Sequence, residues 1–591
     1  MQLESKLTLA LQKAFLVIYQ LPLSKESCAL QYTRKEFQGT FSFPIFPHCK
    51  SCHEQPNQLA EKIGKWVQTH VDIVASYNVI DGFLNFVIYD AVWLSILKTI
   101  DQNPLYGRLA GQKSSIVIEF SCPNTNKPQH LGHLRNNFLG DALAKILDAA
   151  GHMVHKVNLI NDRGIHICKS MVAYQQFGAG ETPTSSGIKG DHLVGKYYVK
   201  FEQVYKAQLA LIETHKGDLP TAIPPILQEA QEMLVDWEKG DPAVMDLWQK
   251  MNEWVYDGFN MTYNQLGIVF DKTYYESDTY LLGKEIVKEG LRKKIFYPKE
   301  DGAIAVDLSM HGLGEKILLR SNGTAVYITQ DLGTADLRYA DYHFDNMIYV
   351  VGNEQAYHFK VLFATMAHLG RSYAHFMHHL PYGMVDLPSG KMKSREGNVV
   401  DADQLIEEMI DTVMLYTENS HKIESLNQQE LKKLHHILAI GALKFFLLRV
   451  APQKKILFNP SESVDFQGDT GTFIQYTYAR ICSVQRKAKD IQMVSCNIQQ
   501  GSLSALEQHL IFQLYRLPAA IEEAAKTYMP SVIANYALTL AKTYNKFYAS
   551  YPIYREPNAC MRSFRLLLSS CVGNVLKKSM TLLAIELPEK M

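Results

Sequence analysis

One stretch limits what this chain can fold into more than any other: residues 114 to 164, SSIVIEFSCPNTNKPQHLGHLRNNFLGDALAKILDAAGHMVHKVNLINDRG. Ser115 to Phe120 is short, apolar and rich in β-branched residues, as a buried strand is. From Leu131 the apolar positions recur at helical spacing through Leu134, Phe138, Leu139, Ala142, Leu143, Ile146 and Leu147. Gly151 stops that helix, and Val154 to Ile160 returns as a second strand. Strand, helix and strand in this order require a parallel pair joined by a right-handed crossover.

The first turn of the helix reads His130-Leu131-Gly132-His133. Two imidazoles three residues apart share a helix face, at the end where unpaired N–H groups and the helix dipole favour an anion. Gly132 leaves the backbone open to a ligand. Such a site suits a polyphosphate, with His130 and His133 as donors to charge that develops on it. The spacing matches neither a Walker A loop nor a dinucleotide fingerprint. A second stretch, Gly390-Lys391-Met392-Lys393-Ser394-Arg395-Glu396-Gly397-Asn398, gathers three cations and a hydroxyl between glycines, as a loop closing over phosphates does. Singly, each has a bland reading: capping histidines, and a solvated basic turn. As a pair they resemble the signature motifs of the class I aminoacyl-tRNA synthetases.

Length and charge set bounds. At 591 residues the chain holds more than one domain. Lys+Arg and Asp+Glu both number 60, so a nucleic acid would be met by local patches and not by net charge. No apolar run is long enough to span a bilayer, and the opening residues read as an amphipathic helix without the shape of a signal peptide. The nine cysteines are mostly single and set in apolar stretches, as buried thiols in a reducing cytosol would be. Cys49-Lys50-Ser51-Cys52-His53 has the spacing of haem attachment, yet no export signal accompanies it and no second cysteine pair completes a zinc site. We expect no metal there.

Residues 1–110 read as a separate α+β domain, with helices at 4–20 and 57–69 and a strand over 79–89 after an Asp-Gly turn. Phe83 and Asn85 pair an aromatic plane with an amide, suited to base stacking and edge recognition, although strand aromatics also fill cores. Residues 177–265 read as an insertion, largely helical, that packs on the sheet. Between 300 and 387, Ala303–Leu308, Thr324–Thr329, Met347–Val351 and Tyr382–Val385 read as strands, with helices after Asp331 and Gln355. Polar groups at strand ends mark the crevice of an open parallel sheet, but Asp331 equally fits a helix N-cap. From 408 onward the pattern is helical. There Lys444, Arg449, Lys454, Lys455, Arg480, Arg486, Lys487 and Lys489 interleave with Phe473, Tyr476 and Tyr478, a composition suited to a single-stranded RNA loop.

With these residues in view, the whole chain resembles the arginyl-tRNA synthetases. The likeness runs through SCPNTNKPQHLGHLRN, INDRGI, GDHLVGKYYVKF, RSNGTAVYITQDLGTADLR, VVGNEQAYHFKVL and DTGTFIQYTYAR. It implies a Rossmann-type parallel-sheet catalytic domain over 111–408, an N-terminal domain that meets the tRNA D-loop, and an all-helical anticodon-binding domain over 409–591. It also implies a cytoplasmic monomer that uses ATP with Mg2+, L-arginine and tRNA(Arg).

Carried over by motif, His130, Gly132, His133, Lys391 and Met392 would bind ATP, with Lys127 and Ser394 joining them in catalysis. Asn124 would hold the α-amino group of arginine, and Glu119, Tyr327, Asp331 and Gln355 its guanidinium; a carboxylate can pair with that fork in two places, which an ammonium cannot reproduce. Phe83 and Asn85 would meet the D-loop, and Phe473, Tyr476, Arg480, Tyr544, Tyr548 and Met591 the anticodon side. The sequence departs from the family pattern at Lys393 and Glu396, at Cys122, and at Gly471-Thr472-Phe473. The second lysine usual in the class I loop is absent, and Lys127, just before the histidine motif, stands where the family is thought to compensate. A non-catalytic tRNA binder and a small-molecule nucleotidyltransferase remain as rival readings.

Overall fold

The structure is a computed structural model that describes residues 3–34, 37–111, 113–214, 223–386, 400–418, 426–494 and 501–591. It divides into two compact units, one of Met1–Tyr106, Ile481–Leu517 and Leu540–Val575, the other of Gly107–Arg480, Pro518–Thr539 and Leu576–Met591.

The larger unit is built on five parallel strands. In sheet order they are Met377–Tyr382, Asn346–Gly352, Ser115–Glu119, Met153–Ile160 and Lys272–Tyr275. Numbered along the chain, this is the doubly wound order with its switch point between Ser115–Glu119 and Asn346–Gly352, where the strand ends open a crevice. Ser115–Glu119 is buried at every position, because helices cover both faces of a parallel sheet. The motif helix, Leu131–Ala149, follows this strand and buries most of its length. The insertion is helical as expected, with Gly190–Thr214, Pro225–Lys239 and Pro242–Leu266 as its long helices.

Four expectations change. The strand read at Tyr382–Val385 lies earlier, as Met377–Tyr382, and breaks at Gly383 and Met384 before the two-residue strand Val385–Asp386. Thr324–Thr329 is not a strand: a helix, Tyr327–Tyr342, begins there, so Asp331 lies in its second turn and is no N-cap. Ala303–Leu308 contributes the strand Ile304–Asp307, but to a separate antiparallel sheet with Phe296–Pro298 and Glu315–Leu319. Among its described residues the region after 408 contains one short strand, Ile456–Leu457, paired with Val385–Asp386.

In the smaller unit the N-terminal strands form an antiparallel sheet in the order Gln31–Tyr32, Phe41–Pro44, Phe83–Ile88 and Val74–Ile80. Asp81 and Gly82 take φ of 49° and 70°, the two left-handed residues of a tight hairpin turn. Phe512 packs its ring against Tyr32, Phe41 and Trp93 at centroid distances of 5.1, 5.8 and 6.1 Å. Asp90, buried, accepts from Gly501 N and Gln508 Nε2 at 2.7 Å each. Among the described residues seven cysteines are free thiols, and Cys560, disulfide-bonded, is an exception to the reading of the cysteines as mostly buried thiols. No helix among the described residues is long and apolar enough to cross a membrane.

Candidate active site

The histidine motif forms a reciprocal cap. His130 is the N-cap of the motif helix, with extended backbone at φ −135° and ψ 174°. Its Nδ1 accepts from Gly132 N at 3.1 Å, and His133 Nδ1 accepts from His130 N at 3.1 Å. The capping reading is therefore satisfied, and capping uses only Nδ1 of each ring. Burial and the nearby Lys127 lower His130 to about 4, and burial, His130 and Lys127 hold His133 well below the ordinary histidine range. Both rings are neutral near pH 7, and a neutral ring accepting at Nδ1 carries its proton on Nε2. The site thus offers two Nε2–H donors on rings 3.9 Å apart. A Cβ on Gly132 would stand 2.9 Å from His130 Cε1, so glycine is what lets the first ring fold back over its own helix.

The rest of the motif helix secures the crevice. Asn136 joins the ends of two strands: its Oδ1 accepts from Ser121 N at 2.5 Å, and its Nδ2 donates to Val350 O at 2.6 Å. Ser121 takes φ 61°, a left-handed conformation rare for serine, and its Oγ lies 2.7 Å from Tyr263 Oη. Arg135, fully buried, donates to Gly383 O and Pro452 O. Asn124 sits in a loop pinned to the end of the neighbouring strand by a bridge to Asn161. Lys391, Met392 and Ser394 lie outside the described residues.

On the other side of the switch point, Tyr327, Asp331 and Arg338 share one face of the helix Tyr327–Tyr342, about one and two further turns apart. Tyr327 is 75% exposed. Asp331 Oδ2 lies 2.5 Å from His358 Nε2, on the next helix. Gln355 is exposed at the start of that helix, Ala356–His368. Glu119 is buried and forms an ion pair with Arg338, which itself is 2% exposed between the rings of Tyr274 and Tyr349. Glu276 completes the group. With the Gln330 amide turned so that its nitrogen donates to Glu276 Oε1 (3.0 Å), its oxygen accepts from Arg163 (3.2 Å). Burial lifts Glu276 to about 7 although Arg163 opposes it, and Asp162 and Asp331 add to the rise.

Sequence reading missed Arg338, His358 and Glu276. Arg338 had a signal in its spacing from Asp331, which shows only once the helix is known to start at Tyr327. His358 follows Gln355 by three residues and had a weaker one; Glu276, from a distant strand end, had none.

The residues expected to meet RNA fare unevenly. Phe473, Tyr476 and Arg480 are half-buried along one face of the helix Gly471–Lys487, with the Arg480 guanidinium 4.8 Å from the Tyr476 ring centre. Tyr478 belongs to the core, and Lys444 is buried with Nζ donating to Leu266 O and Ala584 O at 2.7 Å each, so neither faces a nucleic acid. Tyr544 is completely buried, while Tyr548, one turn on, is 37% exposed. Phe83 is half-buried, but Asn85 is 1% exposed and donates to Asn78 Oδ1, so its edge is turned into the sheet. Met591 is half-exposed.

Among the described residues one group has the donor set of a cation site: Asp191, His192 and Asp403. The Lys189 ammonium already bridges both carboxylates, so the group does not fit a resident metal.

A family model described as tRNA synthetases class I (R), catalytic domain, matches residues 95–459. The arginyl tRNA synthetase N terminal domain matches 1–88, and the DALR anticodon binding domain matches 474–591. The doubly wound sheet and its histidine-capped helix are those of a class I aminoacyl-tRNA synthetase. An arginine--tRNA ligase of Amoebophilus asiaticus is 54% identical over 596 residues, and one of Bacteroides thetaiotaomicron 49% over 598, each covering 100% of both chains. The chain belongs to the arginyl-tRNA synthetase family. Its fold is shared with the arginyl-tRNA synthetase of Thermus thermophilus, at TM-score 0.77 and 23% identity over 100% of both chains. A methionyl-tRNA synthetase of Mycobacterium tuberculosis shares it more loosely, at TM-score 0.51 and 12% identity, over 81% of this chain and 92% of that one.

Proposed function

We propose that the chain activates L-arginine with ATP and transfers the arginyl group to tRNA(Arg). One observation carries the reading: two neutral imidazoles with Nε2–H donors sit at the N-terminus of the helix that follows the strand ending in Glu119, and the Asp331 carboxylate lies close enough to Glu119 and Glu276 to act on both. One side suits phosphates and the other a guanidinium.

ATP enters as its Mg2+ complex, the ion travelling with the substrate. The arginine carboxylate attacks the α-phosphorus in line, the bond to the bridging oxygen breaks, and pyrophosphate leaves. His130 and His133 donate to oxygens on which charge accumulates, and Lys127, Lys391 and Ser394 add positive charge and hydrogen bonds. A terminal ribose hydroxyl of tRNA then attacks the arginyl carbonyl and AMP departs. Asn124 orients the α-amino group, and Tyr327, Asp331, Gln355 and Glu119 define the guanidinium pocket. Phe473, Tyr476, Arg480, Tyr548 and Met591 contact the anticodon side, with Tyr544 packing beneath; Phe83 stacks in the D-loop, with Asn85 holding its strand. We assign 1–110, 111–408 and 409–591 to the D-loop-binding, catalytic and anticodon-binding regions of a cytoplasmic monomer.

The test is arginine-dependent ATP–pyrophosphate exchange with and without tRNA. Exchange only when both are present is expected, with tRNA coupled to the activation step. Exchange without tRNA would remove the coupling, and no exchange under either condition would favour a non-catalytic tRNA binder.

A further inference from the structure

The segment around Lys189 to His192 has no part in the chemistry above, yet it gathers a lysine, a histidine and three carboxylates in the larger unit. Lys189 Nζ lies 3.2 Å from Asp191 Oδ2, 2.6 Å from Thr262 Oγ1 and 2.5 Å from Asp403 Oδ2. His192 Nε2 lies 2.9 Å from Asp403 Oδ2 and 3.1 Å from Asp401 Oδ2. Thr262 accepts from Lys189 and donates to Asp403 Oδ1 at 3.1 Å. Asp191 is fully buried, and the side chains of Lys189 and Asp403 are 15% and 17% exposed. Water screens such a cluster little, and its carboxylates outnumber the fixed ammonium, so it favours retaining the imidazole as a second cation.

Both ends of the cluster are placed. His192 is on the helix Gly190–Thr214 and Thr262 on Pro242–Leu266, two of the insertion's long helices, which pack on each other. Asp401 caps the helix Ala402–Glu418 by accepting from Asp403 N at 2.7 Å. At the same point the chain runs antiparallel to the histidine motif: His130 bridges Asp401, and Ala402 N donates to Gln129 O at 2.9 Å. The backbone that sets the His130 ring therefore leans on a segment whose side chains are gripped by the insertion.

We infer that Lys189 and His192 are positioning residues for the nucleotide half of the reaction: by holding Asp403 and Asp401 they fix the Gln129–His130 backbone and, through it, the two Nε2–H donors. The inference rests on the reading that His130 and His133 serve ATP. It also gives the insertion a role beyond covering the sheet.

The test compares Lys189→Met, Lys189→Arg, His192→Gln and Asp403→Asn in the full chain, by binding of a fluorescent ATP analogue and by pyrophosphate exchange with tRNA. In Lys189→Met, ATP KM should rise or kcat fall by about tenfold, while arginine KM moves less than twofold. Lys189→Arg should recover part of the loss, and Lys189→Met/Asp403→Asn should be no worse than either single change. Ordinary nucleotide binding and exchange in a folded Lys189→Met protein would overturn the inference alone. Equal losses toward ATP and arginine, unrescued by arginine at 189, would also overturn it, since that is what a merely structural anchor produces. Failure of the unaltered protein to bind the nucleotide would overturn the underlying reading of the site as well.

Discussion

The Glu119 carboxylate, at the end of the first parallel strand, is paired with the Arg338 guanidinium in a fully buried contact roofed by Tyr274 and Tyr349. Burial raises the Glu119 carboxyl, and the Arg338 guanidinium is the largest influence opposing that rise. Glu119→Gln would leave Arg338 without its counter-ion, and breaking one partner of a buried pair costs about 3–5 kcal/mol. Urea denaturation should show a loss of that order, and a smaller one for Glu119→Gln/Arg338→Met. If the double change proves as damaging as the sum of the singles, the pair is not coupled.

Asp331 and His358 share a hydrogen bond at 2.5 Å. Burial opposes protonation of His358, but Asp331 outweighs it and raises the imidazole above its ordinary range. A raised histidine stabilises the fold fully below its unfolded value, and the contribution fades as pH rises through its folded value. For arginine the sign reverses, since an imidazolium on Asp331 competes with the guanidinium. Arginine KM should therefore rise as pH falls through the folded value of His358, by up to about tenfold per unit. His358→Asn should flatten that limb, and Asp331→Asn should raise arginine KM by roughly 10- to 100-fold, a hydrogen bond to a charged group being worth about 1.5–3 kcal/mol. An unchanged arginine KM in Asp331→Asn would remove Asp331 from the pocket.

Gly132→Ala places a methyl against the His130 ring, 2.9 Å from Cε1. The helix should keep its stability, because alanine is the better helix former. Turnover should fall by about ten- to hundredfold as the donor is displaced, with arginine KM little altered. Normal exchange kinetics in this variant would mean that the position of the His130 ring does not matter.

Lys444 is lowered by burial from 10.5 to about 8. Below both values folded and unfolded chains hold the same proton. Between them the unfolded chain holds one that the folded chain has released, so this lysine makes stability rise with pH, by up to about 1.4 kcal/mol per unit. The difference in unfolding free energy between the unaltered protein and Lys444→Met, followed from pH 7 to 10, should grow above about 8. Parallel curves would show that the ammonium is retained.

Tyr476→Ala removes the plane on which Arg480 lies. If an unstacked base uses the same plane, tRNA KM should rise by the equivalent of about 1–3 kcal/mol while arginine KM stays put. An unaltered tRNA KM would take the anticodon role away from this helix face.

The strand, motif helix and returning strand were legible because their signals are local: β-branched runs, an apolar repeat of 3.6, and Gly151 in a left-handed turn at φ 94°. The histidine motif was legible for the same reason, since its capping bonds join residues two and three apart. Other features depended on where the chain returns in space. The start of the helix at Tyr327 was misread because Ala325 to Thr329 is β-branched and apolar, and only its packing makes it helical. Lys444 reads as a surface cation until Leu266 and Ala584 bring carbonyls to it from far along the chain. Arg338 on Glu119, and Lys189 on Asp403, are likewise pairings of charges remote in sequence. Sequence alone thus determined the local frame and the family. Tertiary structure decided which charges are buried together, because desolvation and pairing depend on distances that no local pattern encodes.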